Sequence, residues 1–142
     1  MKKPPRTRKS WRDKLEDPAP SQVKPAPMNV AGMKAGQIML VPTARMIDRF
    51  IRGLPAGTSM DVRRMRAILA KRHGAEVTCP IYTGFHLRTV AEAAFEAYER
   101  GVPLREITPF WRVIDSTTPT ARRLACGMAF LRRRRRKERL AP

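Results

Sequence analysis

Positive charge is concentrated at the two ends of this chain, and that distribution restricts where a folded core can form. The formal net charge is +18. Residues 1–34 carry +6 and residues 119–142 carry +8, so residues 35–118 keep only +4. Because like charges oppose compaction, we expect the apolar core to come from the middle of the chain. A charge this large also predicts a polyanionic partner, such as DNA, RNA or an anionic membrane surface.

Residues 1–35 are rich in proline, lysine and arginine and poor in large apolar side chains. Prolines break helices, and a segment that cannot bury apolar surface stays unfolded, so a disordered basic arm is predicted here. One exception lies within the arm, where Ser10 can cap a short helical turn with Trp11 and Leu15 on one face. Trp11 then docks on a partner or on the protein's own core, unless it is an isolated aromatic residue in a basic tail.

The middle of the chain alternates short apolar segments with amphipathic helical patterns. A strand is predicted over residues 37–41, and Thr43 is a suitable N-cap for the helix that follows. Asp61 is a suitable N-cap for a second helix. Residues 77–81 are predicted to be extended, and a long helix should begin near residue 83. Two helices joined by a short extended segment form a helix-turn-helix-like arrangement.

Towards the C-terminus, the segment Ile107–Ile114 combines β-branched and aromatic residues with one proline and one arginine. This composition predicts a strand or an extended loop. Thr118 is a candidate cap for a final helix from Pro119. Five consecutive arginines, at positions 132–136, would cover every face of that helix and are therefore predicted to contact a polyanion rather than a core.

The order and local spacing of several motifs make residues 43–131 resemble the DNA-binding domain of the alkylguanine-DNA alkyltransferases, a family of DNA-repair proteins. The Pro-Cys-His-Arg-Val-Ile active-site motif of that family is matched at Pro109 and at residues 112–114. The Arg-Ala-Val-Gly signature of its recognition helix is echoed at residues 88–91, and five residues separate Pro103 from Pro109, as is usual in the family.

The resemblance fails where the family performs its chemistry. Phe110 stands at the position of the nucleophilic cysteine and Trp111 at that of the activating histidine, so neither can carry out alkyl transfer. Val102 and Val62 correspond to the active-site asparagine and tyrosine of the family. We therefore expect a vestigial pocket, filled by Phe110 and Trp111, and no catalytic residue.

Charge patterning and the resemblance together predict a mainly α fold, namely a winged-helix-like domain of three to four helices with short strands and flanking basic tails. The expected organisation is a disordered basic arm over residues 1–35, the alkyltransferase-like domain over residues 36–131, and an arginine-rich tail over residues 132–142.

The function predicted first is non-catalytic DNA binding, with the sensing of alkylated or distorted DNA as one form of it. Arg88 matches the family arginine that replaces a flipped-out base in the duplex, and His86 and Thr83 precede it on the same predicted helix. The remaining expected DNA contacts are Arg63, Arg64, Arg66, Arg112, Arg132, Arg133, Arg134, Arg135 and Arg136.

Two other functions remain open. The chain is alternatively an RNA-, ribonucleoprotein- or protein-interaction module that uses its basic ends and the region of Trp11. A second alternative is an atypical alkyltransferase with Cys79 as nucleophile, although a lone cysteine is more often buried and inert.

Several classes are disfavoured by composition. The chain lacks a run of about 18 apolar residues, so no membrane span is expected, and the basic N-terminus does not have the pattern of a secretory signal. Two cysteines do not form a disulfide framework, which favours a cytoplasmic location, on the nucleoid if the protein is bacterial. His73 and His86 are remote from any Cys-x-x-Cys pair, so neither a metal nor a cofactor is predicted.

Overall fold

Helices dominate the structure, a computed structural model that describes residues 9–142. These residues form five α-helices, one small three-stranded sheet and three short 3₁₀ turns. The helices are α1 (Trp11–Leu15), α2 (Ala44–Arg52), α3 (Val62–Arg72), α4 (Pro80–Glu99) and α5 (Gly127–Lys137). The strands are β1 (Gln22–Pro25), β2 (Ile38–Val41) and β3 (Val77–Thr78), and the 3₁₀ turns are Leu104–Glu106, Phe110–Arg112 and Pro119–Arg123. The prediction of a mainly α fold with short strands is confirmed.

Side-chain caps begin the first three helices, as the sequence predicts. Ser10 Oγ accepts a hydrogen bond from the backbone N–H of Asp13 at the start of α1. Thr43 caps α2 in the same way, and Asp61 caps α3 by accepting from the N–H of Arg64 at 2.8 Å. Each bond satisfies a backbone donor that has no partner within the helix.

The small sheet has β2 at its centre, with β1 antiparallel on one side and β3 parallel on the other. Leu40 lies opposite Val23 of β1 and Thr78 of β3. This arrangement corrects the prediction of a disordered arm over residues 1–35, because residues 9–35 include α1 and β1, whereas residues 1–8 lie outside the described part of the chain. Backbone pairing with β2 supplies order that composition does not reveal, and Pro25 is tolerated at the end of an edge strand.

The main core lies between α2, α3, α4 and the segment 107–114. Its fully buried members include Ile47, Met65, Leu87 and Phe110, and α5 adds Leu131. The middle of the chain therefore supplies most of the core, as expected. A smaller cluster beneath the sheet contains Ala26, Met33, Met39 and Cys79.

Two element boundaries differ from the prediction. Helix α4 begins at Pro80 rather than near residue 83, because proline fits the first turn of a helix, where its missing N–H has no partner to lose. Residues Phe110–Arg112 form a 3₁₀ turn rather than a strand, with the N–H groups of Val113 and Ile114 both donating to the carbonyl of Phe110. The turn lets both aromatic rings enter the core.

The last helix also differs from expectation. Pro119–Arg123 is a separate 3₁₀ turn, and α5 starts only at Gly127 and continues to Lys137. The predicted tail over residues 132–142 is therefore largely helical and contributes to the fold. The segment is ordered because one arginine of the run, Arg135, is buried against the core.

Candidate nucleic-acid interface

The first half of α4 exposes apolar side chains on one face while burying others on the opposite face. Ile81, Tyr82 and Phe85 are exposed, and Phe85 is the most exposed large apolar residue of the described chain, at 62%. Leu87 and Val90, on the opposite face, are buried in the main core. This helix end presents an aromatic surface that the protein itself does not cover.

Thr83 was predicted to contact DNA, and the structure contradicts that prediction. Its side chain is almost completely buried, and its hydroxyl donates a hydrogen bond to the carbonyl of Cys79 at 2.6 Å. The cause is its place on the helix, because Thr83 lies one turn before Leu87 on the buried face of α4. Thr83 is a structural residue of the first helical turn.

His86 lies half-buried beside Tyr82, with the two rings stacked at a centroid distance of 6.1 Å. Burial lowers the pKa of His86, although a hydrogen bond to the carbonyl of Pro42 and the charge of Asp17 oppose the shift. The lowered pKa favours the neutral ring, which carries no charge to attract a phosphate.

Arg88 is partly exposed and lies between α1 and the exposed aromatic face. Its guanidinium carbon is 5.2 Å from the ring centroid of Trp11, and its Nε is 3.8 Å from a carboxylate oxygen of Glu92. That separation is too long for a hydrogen bond, and Nε has no hydrogen-bond partner among the described residues. Trp11 thus packs on the protein's own helix, which is one of the two docking modes that the sequence left open.

A groove runs between the first half of α4 and the 3₁₀ turn Pro119–Arg123. Its volume is about 330 Å³, and Arg88 and Arg123 both line it. Apolar lining comes from Ile81, Phe85 and Pro119. Phe85 and Arg123 were not among the site residues predicted from the sequence. A signal was present for Phe85, which lies outside the buried stripe of α4 and four residues after Ile81.

Helix α3 carries three of the predicted arginines. Arg63 and Arg64 are exposed in its first turn, where they are accessible to a phosphate. Arg66 is half-buried, and burial together with the like charge of Arg63 lowers the pKa of its guanidinium. Of the three predicted arginines of this helix, Arg63 and Arg64 are therefore the accessible ones.

The arginine run of α5 divides into structural and surface residues. Arg132, Arg133 and Arg136 are exposed and Arg134 is half-buried, but Arg135 is only 2% exposed. The prediction that none of the five can pack on a core is wrong, because a helix turns one position of any run towards the protein.

Arg135 is buried because backbone and side-chain oxygens surround its guanidinium. It donates hydrogen bonds to the carbonyl of Trp111 at 2.5 Å, to Ser59 Oγ at 3.0 Å and to the carbonyl of Ala141. Burial lowers its pKa, an effect that the charges of Asp115 and Glu138 oppose. Arg135 is therefore removed from the set of DNA contacts.

Arg112 is also structural rather than a DNA contact. Its Nε donates to Glu138 at 2.8 Å, and its Nη1 donates to the carbonyl of Leu54 at 2.7 Å. Glu138 in turn accepts from the indole N–H of Trp111 and from the backbone N–H of Gly57. The sequence treats Arg112 as a surface cation because its carboxylate partner lies 26 residues away in the chain.

The expected vestigial pocket is only partly assembled. Phe110 and Trp111 are buried in edge-to-face contact, 5.3 Å between ring centroids, and fill the interior there. Val62 packs at the margin of the same core. Val102 is exposed beyond the end of α4, so the structure does not bring it into a pocket with the two aromatic rings. Val102 lies away from the two rings because Gly101, whose φ is +103°, redirects the chain after the helix.

The cysteines occupy unreactive settings. Cys79 is 3% exposed and packs in the small cluster beneath the sheet. Burial raises the pKa of Cys126 to about 11, with a further contribution from the charge of Glu92. His73, the imidazole nearest to Cys79 in sequence, engages the carbonyl of Leu69 through Nδ1 at 2.9 Å.

Two further properties bear on the class of site. Within residues 9–142, no group of three or more His, Cys, Asp or Glu side chains is arranged to hold a metal ion. None of the helices in the described part of the chain has the length and apolar character needed to cross a bilayer.

No protein-family model, curated protein or solved structure matches this chain.

Proposed function

We propose that this protein binds DNA without catalysing a reaction on it, on a winged-helix-like, alkyltransferase-like scaffold. The observation that carries the proposal is an excess of surface cations that the fold does not neutralise. Lys and Arg outnumber Asp and Glu by 30 to 12, and five ion pairs involve the described residues. Most of the Lys and Arg side chains of residues 9–142 therefore have no carboxylate partner there, and a polyanion is the complementary ligand.

The accessible arginines identify the contacts expected with the DNA backbone. Arg63 and Arg64 at the start of α3 and Arg132, Arg133 and Arg136 on α5 are exposed, and none makes an ion pair within the described chain. The segment that leads into α3 lies against α5, because Ser59 accepts a hydrogen bond from Arg135. We assign these five exposed side chains to phosphates of the DNA backbone.

Helix order supports the winged-helix-like part of the proposal. Helices α3 and α4 are joined by the short strand β3, and the N-terminal half of α4 is the exposed half. In a helix-turn-helix arrangement the second helix offers its N-terminal residues to the bases. Arg88 is then the side chain that senses alkylated or distorted base pairs.

We propose that the protein is not catalytic because the side chains at the candidate catalytic positions are buried. Phe110 and Trp111 occupy the core, and neither side chain is a nucleophile or a base. The burial of Cys79 weighs against the alternative in which it takes the alkyl group, because a nucleophile must reach its substrate.

A salt series with a fluorescent duplex tests the proposal. The logarithm of the binding constant should fall linearly with the logarithm of the salt concentration, because each neutralised phosphate releases counterions. The triple variant Arg132→Ala, Arg133→Ala, Arg136→Ala should reduce the slope by roughly 0.9 for each phosphate that these arginines no longer neutralise. A control variant that replaces three other exposed cations by alanine, Lys34, Lys71 and Arg100, should reduce the slope less.

Two results would contradict the proposal. An affinity that does not change with salt would exclude the DNA backbone as the source of binding. Tighter binding of an RNA of the same sequence, or retention of a protein partner after nuclease treatment, would instead favour the interaction-module alternative and its Trp11 region.

A further inference from the structure

We propose that the groove between α4 and the 3₁₀ turn Pro119–Arg123 binds an unstacked nucleobase of DNA, with the ring of Phe85 as the stacking platform. This inference rests on the proposed DNA binding and adds the form of DNA that the site selects, namely single-stranded or locally unpaired. The juxtaposition that carries it is an exposed aromatic ring and two arginines that line one groove.

Phe85 has no structural reason to be aromatic. Its side chain is 62% exposed, and it belongs to neither apolar cluster of the described chain. An exposed phenyl ring costs solvation free energy that a ligand can recover. The flat face of a nucleobase is such a ligand, because every base can stack on an aromatic side chain.

The walls of the groove favour an anion next to that base. Arg88 and Arg123 line it, and no acidic side chain of the described residues does. Glu92, the carboxylate nearest to Arg88, is buried and accepts a hydrogen bond from the backbone N–H of Ala125 at 2.9 Å. The phosphates on either side of a stacked base therefore have a guanidinium within the same groove. The carboxylate of Glu92 lies 3.8 Å from Arg88 Nε and does not line the groove.

The carboxylate next to the 3₁₀ turn is likewise occupied. Asp115 accepts hydrogen bonds from the N–H and hydroxyl groups of Thr117 and Thr118, and these bonds outweigh burial and lower its pKa. Asp115 is held in the turn that begins this wall of the groove and does not neutralise Arg123.

The dimensions of the groove fit one base better than a duplex. About 330 Å³ lies at the lower end of the range for small-ligand sites, roughly 300–1,000 Å³. In an intact duplex the faces of each base are covered by its neighbours, so a ring such as Phe85 can stack only on a base that has left the helix or is unpaired.

The test compares three DNA ligands on the full chain: a short oligothymidylate, a fully paired duplex, and a duplex with one extrahelical 2-aminopurine. Phe85→Ala should weaken binding of the single strand on the order of tenfold and change duplex binding by less than about twofold. It should also abolish the quenching of 2-aminopurine fluorescence that stacking on the ring produces.

Three matched variants separate stacking from other effects. Phe85→Leu keeps an apolar side chain and should behave like Phe85→Ala, whereas Phe85→Trp should retain binding. Val23→Ala removes an exposed apolar side chain on β1 and should bind all three ligands like the wild type. If Phe85→Leu binds like the wild type, general apolar contact replaces stacking and the inference is overturned.

The remaining outcomes distinguish this inference from the proposed function. If the wild type binds duplex in a salt-dependent way but Phe85→Ala changes nothing, the groove is not the site and the DNA-binding proposal survives. If no DNA binds at all, both are overturned. Tighter binding of oligouridylate than of oligothymidylate, or displacement of the single strand by an acidic peptide that needs Phe85, overturns the assignment to DNA.

Discussion

At the scale of single residues, burial separates the arginines that hold the fold from those that face solvent. Arg112 and Arg135 share the polar cluster around Trp111 and Glu138, whereas Arg132, Arg133 and Arg136 are exposed. Identical residues in an unbroken run therefore have different roles, and the helix phase relative to the core decides which role each one has.

Replacing Arg135 by alanine should lower the free energy of unfolding by roughly 2–4 kcal/mol, because three oxygens lose their donor at once. One of them is the buried carbonyl of Trp111, and another is Ser59 Oγ. Urea unfolding followed by circular dichroism measures the change. Arg136→Ala, an exposed neighbour, should stay within about 0.5 kcal/mol of the wild type. Equal effects of the two variants would show that the guanidinium of Arg135 does not hold these oxygens.

Glu138 should make stability depend on pH in the acid range. Burial alone would raise its pKa, but hydrogen bonds from Arg112, Trp111 and Gly57 and the charge of Arg112 outweigh burial and hold the pKa below the ordinary 4.5. The contribution of the carboxylate is then complete above pH 4.5 and is lost as the pH falls through the lower folded-state value.

The measurement is the thermal midpoint of wild type and Glu138→Gln across the acid range. We expect the wild type to be the more stable above pH 4.5 and the difference to shrink below it. A difference that stays constant down to the most acidic folded sample would mean that the carboxylate does not titrate as the structure implies.

At the scale of elements, local signals were sufficient where one side chain and its next turn decide the outcome. The caps Ser10, Thr43 and Asp61 could all be predicted, because each bonds an N–H only three residues ahead. Strand β1 could not, because its order comes from pairing with β2, and neither composition nor periodicity records a partner strand.

The predicted site residues likewise fall into those that local sequence identifies and those whose partners lie far along the chain. Arg88 and the exposed arginines of α3 could be selected from sequence, since a cation on a helix surface needs no partner to be recognised. The roles of Arg112 and Arg135 could not, because their acceptors lie 26 and 24 residues away, at Glu138 and Trp111.

Removal of the α3 cap tests the local part of this argument. Asp61→Ala should destabilise the fold by about 1 kcal/mol, because the N–H of Arg64 loses its acceptor. Asp61→Asn should stay close to the wild type, since asparagine caps helices equally well. Chemical unfolding of the three proteins provides the comparison, and a loss in the asparagine variant as large as in the alanine variant would assign the effect to charge instead.

At the scale of the whole molecule, the C-terminal residues complete the core instead of trailing from it. Leu131 is fully buried, and Glu138 bonds three groups contributed by Gly57, Trp111 and Arg112. The division into a domain and a tail at residue 131 therefore cuts through a folded helix.

Deleting residues 135–142 should accordingly lower the thermal midpoint sharply or prevent cooperative unfolding, because Arg135 and Glu138 are removed together. The triple variant Arg132→Gln, Arg133→Gln, Arg136→Gln serves as the control, since it removes positive charge without touching either buried partner. Scanning calorimetry measures both. A shortened chain that melts like the full one would mean that these residues are a tail after all.

The bond between Gly57 and Glu138 spans 81 residues and has a consequence for synthesis. A ribosome makes the chain from its N-terminus at about 5–20 residues per second, so α2 and α3 emerge seconds before their last partner exists. During that interval the core faces of α2 and α3, which include Ile47 and Met65, are not yet covered by the aromatic pair at residues 110–111 or by α5. The core of the nascent protein is therefore incomplete until α5 is made, and chaperones have access to it until then.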